Sequence, residues 1–193
     1  MPKTSRSLPT LALCLGLAVA SAGAFPAGAA ELAGVRMPDT AKVGDKTLVL
    51  NGLGLRTKMI FKVYVAGLYL PAKQSDPAKI LAEDGPRRLE MQFMRSVGKD
   101  KIAEAWAECL ANNSPGAAAE VKAGFKQLEG WTADMEEGHK MSFTYQPGVG
   151  TEIAVQGAAK GSVAGKAFAD AMFACWLGPA PPNPEIKTGI LGQ

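Results

Sequence analysis

Histidine occurs once in this chain of 193 residues, cysteine three times, and phenylalanine, tryptophan and tyrosine together make up 7% of it. Each scarcity excludes a class of chemistry. Catalytic zinc needs about three protein ligands, drawn largely from histidine and cysteine, and a chain with His139 alone, no HExxH and no CxxC is very short of them. His139 follows Glu136-Glu137-Gly138 at the opening of a strand, where a solvated role suffices. Charge of one sign is lacking too. The 21 basic residues face 18 acidic ones, a net charge of +3, which is too even a balance for a nucleic-acid partner. Beyond residue 30 no apolar run approaches the roughly 18 residues that a membrane span requires. No cofactor, metal ion or integral membrane segment is expected.

Residues 1–30 have a pattern of their own. Lys3 and Arg6 make a basic start, Leu11 to Ala20 is apolar, and Ala27-Gly28-Ala29-Ala30 offers small-residue cleavage sites. This is the layout of a secretory signal, so residues 1–30 are expected to be removed, leaving residues 31–193 as one domain in the periplasm or outside the cell. Leu13 stands before Cys14 where a lipid-attachment cysteine would have a small residue. Cys109 and Cys175 remain, each on an apolar helix face in a compartment where disulfides persist. They either pair or stay as two buried thiols behaving as small hydrophobes.

Periodicity divides the rest of the chain. A period of two predicts strands over Lys46 to Leu55, Met59 to Leu70 and Arg88 to Arg95, with a short helix between the last two that starts at Asp76-Pro77 and ends at Gly85-Pro86. From Asp100 the period becomes helical, with Ile102, Trp106, Cys109 and Leu110 on one stripe that stops at Asn112-Asn113. Ser114-Pro115 starts another helix carrying Val121, Phe125 and Leu128 before Gly130. A hairpin follows: Met141, Phe143 and Tyr145 alternate, Pro147-Gly148-Val149-Gly150 turns, and Thr151 to Gln156 returns, with a short third strand after Gly157 to Lys160. The last helix is placed at Val163 to Leu177 and closes with Gly178-Pro179, and Pro181-Pro182-Asn183-Pro184 reads as an extended tail over the body. This order is not the alternation of a parallel sheet. It predicts an α+β domain, an antiparallel sheet with helices gathered on one face.

The segment Leu50 to Pro71, LNGLGLRTKMIFKVYVAGLYLP, carries the candidate chemistry. It sets a guanidinium, Arg56, and a phenol, Tyr64, in an otherwise apolar strand-forming run. Such an arginine is paired, snorkels to water, or awaits an anionic ligand. Tyr64 taken alone is a core residue whose hydroxyl finds a hydrogen bond. Eight residues of straight strand would hold Arg56 and Tyr64 roughly 26 Å apart, so the two meet only if the chain folds back, and a hairpin turn is placed near Arg56 to Met59. Lys62 either borders the same surface or is solvated. Trp106, Trp176, Phe168 and Phe173 sit at helical spacing that suits a core as well as a pocket lining, and Met91, Met94, Met135 and Met141 suit either equally.

The chain resembles the chalcone isomerase-like superfamily, particularly its exported bacterial branch, in GLGLRTK followed by FKVYVAGLYLP, then MRSVGKDKIAEAWAECL, FTYQPGVGT and GKAFADAMFACWLG. The resemblance implies an open-faced β-sandwich, in which a large antiparallel sheet supports a layer of helices with a ligand cleft between them. Of the residues with which plant chalcone isomerases close a flavanone ring, only the arginine has its counterpart, Arg56. Tyr64 stands for the threonine, Lys101 or Ile102 for the tyrosine, Glu108 for the asparagine and Ala169 for the late hydroxyl. Arg56 with Tyr64 looks instead like the pair that holds a carboxylate in the fatty-acid-binding members. The resemblance thus implies a non-catalytic binding protein for a fatty acid or similar apolar carboxylate. The alternatives are an isomerase acting on a small unsaturated ketone, and an envelope interaction protein with no ligand.

Overall fold

The computed structural model describes Met1 and residues 28–193. Most of the expected signal therefore lies outside the described residues. Where apolar residues alternate the chain is extended, and where they recur at helical spacing it is coiled. Strands β1 (Ala29–Leu32) and β2 (Val35–Pro38) form a small hairpin; β3 (Thr40–Val43), β4 (Lys46–Lys58), β5 (Phe61–Leu70), β6 (Arg87–Phe93), β7 (Lys140–Gln146), β8 (Gly150–Val155) and β9 (Ala158–Val163) form one seven-stranded antiparallel sheet whose neighbours follow chain order. The helices are α1 (Pro77–Ala82), α2 (Lys99–Asn113), α3 (Ala119–Trp131), α4 (Lys166–Leu177) and α5 (Pro184–Ile190). The class is α+β, as expected. Among the described residues no helix is long and apolar enough to cross a membrane.

The strand pleat sorts side chains onto two faces. One face carries Tyr64, Ala66 and Leu68 of β5, Leu89, Met91 and Phe93 of β6, and Met141 and Phe143 of β7, all in the main core. Helix α4 lies in that core, with Ala169 and Met172 fully buried and Trp176 1% exposed. A disulfide between Cys109 and Cys175 ties α2 to α4, with Cα atoms 5.2 Å apart, so the two cysteines are paired rather than free. On the opposite face the β1–β2 hairpin seats Val35 and Met37 against Val65, and the Tyr69 hydroxyl donates to the Pro38 carbonyl at 3.0 Å.

Some boundaries differ from the sequence reading. Met59 and Ile60 belong to a turn rather than to β5, because Lys58 already pairs with Phe61. Helix α3 begins at Ala119, past the Ser114-Pro115 signal, and runs through Gly130 to Trp131. Val163 closes β9, paired with Thr151, and α4 starts only at Lys166.

The proline-rich tail does cross the body, but residues 184–190 turn helical, with Pro184 in the first turn, where its missing N–H costs nothing. What makes room for α5 is the glycine pair of β4. A Cβ on Gly52 would come within 2.8 Å of the Gly192 amide nitrogen, one on Gly54 within 2.8 Å of Ile186 Cγ1, and one on Gly189 within 2.8 Å of the Gly54 Cα. Strand β3 pairs with β4 only through Val49, so the rest of β4 has an unpaired edge, and α5 lies along it. Covering an open edge in this way blocks pairing with another chain. Asn51, at a bulge in β4, locks the end of the helix: its Nδ2 donates to the Ile190 carbonyl at 2.8 Å and to the Gln74 carbonyl at 3.0 Å, and its Oδ1 accepts from the Gln74 amide at 2.8 Å.

Candidate functional site

Arg56 and Tyr64 are direct cross-strand partners in the β4–β5 hairpin. The chain folds back between them through the tight turn at Met59-Ile60, and opposed residues of an antiparallel pair share one face of the sheet. A register shift beside Arg56 leaves Val63 without a partner in β4. Such a bulge bends a strand and re-aims its neighbours.

Arg56 is half-buried. Its Nη1 donates to the Thr57 carbonyl and, weakly at 3.5 Å, to Asn183 Oδ1. Asn183 also accepts from the Thr57 amide at 3.3 Å and donates to the Leu55 carbonyl at 3.2 Å, so one side-chain amide serves the exposed edge of β4 as a strand would. Among the described residues no carboxylate lies within ion-pair distance of Arg56.

Tyr64 is 8% exposed, and its hydroxyl accepts a 3.0 Å hydrogen bond from Trp176 Nε1. Its ring packs against Phe93, centroids 5.7 Å apart. Burial pushes the phenol up to about 12, against the opposing pull of the Trp176 bond and the Arg56 charge. The hydroxyl is therefore neutral, and its own hydrogen is free to be donated, since the bond it makes uses only a lone pair.

The aromatic residues of the two central helices belong to the core. Trp106 meets Phe143 edge-on at 5.5 Å and Trp176 at 6.0 Å, and Phe168 meets Phe125 at 5.5 Å. Among the described residues the Trp106 Nε1 is buried without a partner. At the positions standing for the isomerase donors, Lys101 is exposed and paired with Glu104 at 2.8 Å, its alternative Ile102 is buried in the core, Glu108 is exposed, and Ala169 is buried with no hydroxyl to offer.

Two recesses stand out among the described residues, and neither opens between Arg56 and Tyr64. The larger, about 450 Å³, runs between β1, β4 and α5 and is lined by Leu32, Leu53, Gly54, Leu55, Pro184 and Gly189 among others. It begins at Leu55, next to Arg56 in the strand. The smaller, about 150 Å³, is bordered by Leu70, Lys73, Ile80, Glu83 and Arg87 at the far end of β5.

Arg87 is the charge that the sequence reading missed. It is 1% exposed, bonded to Asp170 and, at 2.9 Å, to the Ile80 carbonyl, and its guanidinium lies between the rings of Tyr145 and Phe173, 5.1 and 4.9 Å from their centroids. Its first place in β6 resembled a strand end. Only the packing of α4 across that end reveals an ion pair between a buried guanidinium and a partly exposed carboxylate.

A family model described as chalcone isomerase-like matches residues 29–192. The chain belongs to that family. No curated protein matches it significantly. Among solved structures, this chalcone isomerase-like protein is similar to a crystal structure of a fatty-acid binding protein of Arabidopsis thaliana, with a TM-score of 0.64 and 15% sequence identity, over 85% of this chain and 96% of that one. At that identity the likeness is one of fold.

Proposed function

We propose that this chalcone isomerase-like protein is an exported, non-catalytic carrier of a fatty acid or a similar apolar carboxylate, whose head group is held by Arg56 and Tyr64. One observation carries the reading: a guanidinium without a carboxylate partner among the described residues stands directly across from a neutral phenol on the same face of the sheet. Guanidinium offers a fork of donors matched to a carboxylate, and the phenol adds a neutral donor in surroundings of low polarity. Each methylene taken from water contributes about 0.8 kcal/mol, so the polar pair need only set orientation. The 450 Å³ recess at Leu55, within the size range of small-ligand sites, adjoins Arg56 along the strand but is lined by Leu32, Leu53 and Leu55 from the face opposite Tyr64, so it does not itself supply the chain pocket. Export is supported by the leader-like pattern of residues 1–30 and by the Cys109–Cys175 disulfide, a bond rare in reducing compartments.

The isomerase alternative is weakened because the positions of the missing donors hold an exposed lysine or a buried isoleucine, an exposed glutamate and a buried alanine, and fold alone does not transfer a reaction. The interaction-protein alternative draws support from Trp176, which already fills the space against Tyr64.

Titration with a long-chain fatty acid, together with native mass spectrometry of protein purified from its own host, separates the three. The carrier reading expects a bound acid, and Arg56→Ala should weaken carboxylate binding by at least about 1.5 kcal/mol. An empty protein that also ignores fatty acid in titration defeats it. Flavanone formation from a chalcone above the spontaneous rate would favour the isomerase.

A further inference from the structure

The turn that brings Arg56 to Tyr64 is built from residues that a turn does not want. Two-residue hairpin turns favour asparagine, aspartate or glycine because the backbone passes through positive φ. Here Met59 sits at φ +56° and Ile60 follows it. Met59 is 90% exposed, Ile60 88% and Phe61 49%, so three consecutive large apolar side chains stand in water at one tip. The other exposed large hydrophobics among the described residues, Met1 and Val149, are single and lie elsewhere in the chain. Burial gains folding almost nothing at Met59 and Ile60. Local rules broken without a folding benefit mark functional positions.

The surroundings of the tip are basic. Lys58 and Lys62 flank it and are exposed, and the Arg95 guanidinium, also exposed, lies 4.4 Å from the centre of the Phe61 ring. None of the three makes an ion pair among the described residues. An apolar point inside a collar of cations suits one partner in particular, a bilayer surface bearing anionic head groups. Acyl chains take up the point, and the lipid phosphates face the collar. With a rise of about 3.3 Å per residue, a tip of this size reaches the roughly 5–10 Å depth of the head-group boundary and no further.

We propose that the Met59-Ile60-Phe61 tip is a membrane-docking element that inserts into the interface of an anionic bilayer, with Lys58, Lys62 and Arg95 as its electrostatic collar. This holds whether or not the protein carries a fatty acid, since it rests on the tip and not on the Arg56–Tyr64 pair. If both are true, docking sets the ends of β4 and β5 that carry Arg56 and Tyr64 beside the lipid surface.

Co-sedimentation of the folded protein with vesicles of phosphatidylcholine alone, and of an equimolar mixture with phosphatidylglycerol, tests the proposal. The expected result is binding to the mixed vesicles that falls as salt is raised and is much weaker on phosphatidylcholine. Ile60→Asp should lower the partition at least about tenfold, and the Lys58→Gln/Lys62→Gln pair about 25-fold. Both variants should melt with the parent, because the altered side chains are exposed. Equal binding to both vesicle types, no sedimentation with either, or tip variants that bind like the parent would overturn the proposal. So would a protein that leaves vesicles alone and self-associates until Ile60→Asp renders it monomeric, which would make the tip a subunit interface.

Discussion

A methyl group placed on Gly54 tests the seating of the C-terminal helix. The added Cβ would run into the Ile186 carbonyl and lie 2.8 Å from Ile186 Cγ1. The carbonyl is main chain and cannot rotate aside. If α5 stays in place, strand and helix must part slightly, an overpacking cost of about 1–3 kcal/mol. If it lifts instead, Ile186, Ile190 and Leu191, now 0%, 0% and 5% exposed, return to water at about 1.5–3 kcal/mol each. Gly54→Ala should therefore destabilise the protein by about 1–3 kcal/mol, lower its Tm by roughly 2–12 °C, and speed hydrogen exchange in α5 well before the sheet is affected. Gly130→Ala in α3 is the control, since nothing lies within 4 Å of its Cβ position; it should be neutral or stabilising by up to about 1 kcal/mol. A Gly54→Ala protein with unchanged Tm and an α5 as protected as in the parent would refute the close approach of helix and strand.

Other consequences can be checked separately. Trp176→Phe removes the donor to the Tyr64 hydroxyl, and a double-mutant cycle with Tyr64→Phe should return a coupling of about 0.5–3 kcal/mol in chemical denaturation; a coupling near zero would mean the bond is not formed. Cys109→Ser/Cys175→Ser opens a covalent loop of 66 residues and should cost about 4 kcal/mol, read as a lower denaturation midpoint that matches the reduced parent. All three tyrosines have a raised phenol, Tyr64 to about 12 from an ordinary 10.0, and a raised folded value means that the stability contributed is whole below pH 10 and is lost as pH climbs from 10 towards 12. Tyrosinate absorbance should thus appear only together with alkaline unfolding, and a tyrosine titrating at its ordinary value in the folded protein would contradict the burial of these rings.

How much could be read from residues alone varied with the range of the interaction. The alternation of Leu89, Met91 and Phe93, and of Met141, Phe143 and Tyr145, announced β6 and β7 because a half-buried strand writes its own period. Asp76-Pro77 announced α1, and its carboxylate does accept from the Ala78 amide at 2.9 Å. The β4–β5 turn follows from the requirement that Arg56 and Tyr64 meet, although Met59-Ile60 carries no turn signal. Strands β1 to β3 are four residues each, too short to show a period. Helix α5 looks like an extended tail in sequence because its prolines dominate, while the glycines that receive it lie more than a hundred residues earlier.

Local chemistry was enough to establish the strands and helices from β4 to α4, that they form an antiparallel sheet with a helical layer, and that a charge sits in the strand beside an apolar run, since each of these depends on residues a few positions apart. Tertiary structure alone decided that Trp176 claims the Tyr64 hydroxyl, that Cys109 pairs with Cys175, that Arg87 is buried between two rings, and that α5 closes the edge of β4. Those outcomes depend on which distant surfaces pack together, and sequence spacing carries no record of that choice until the chain has closed its long loops.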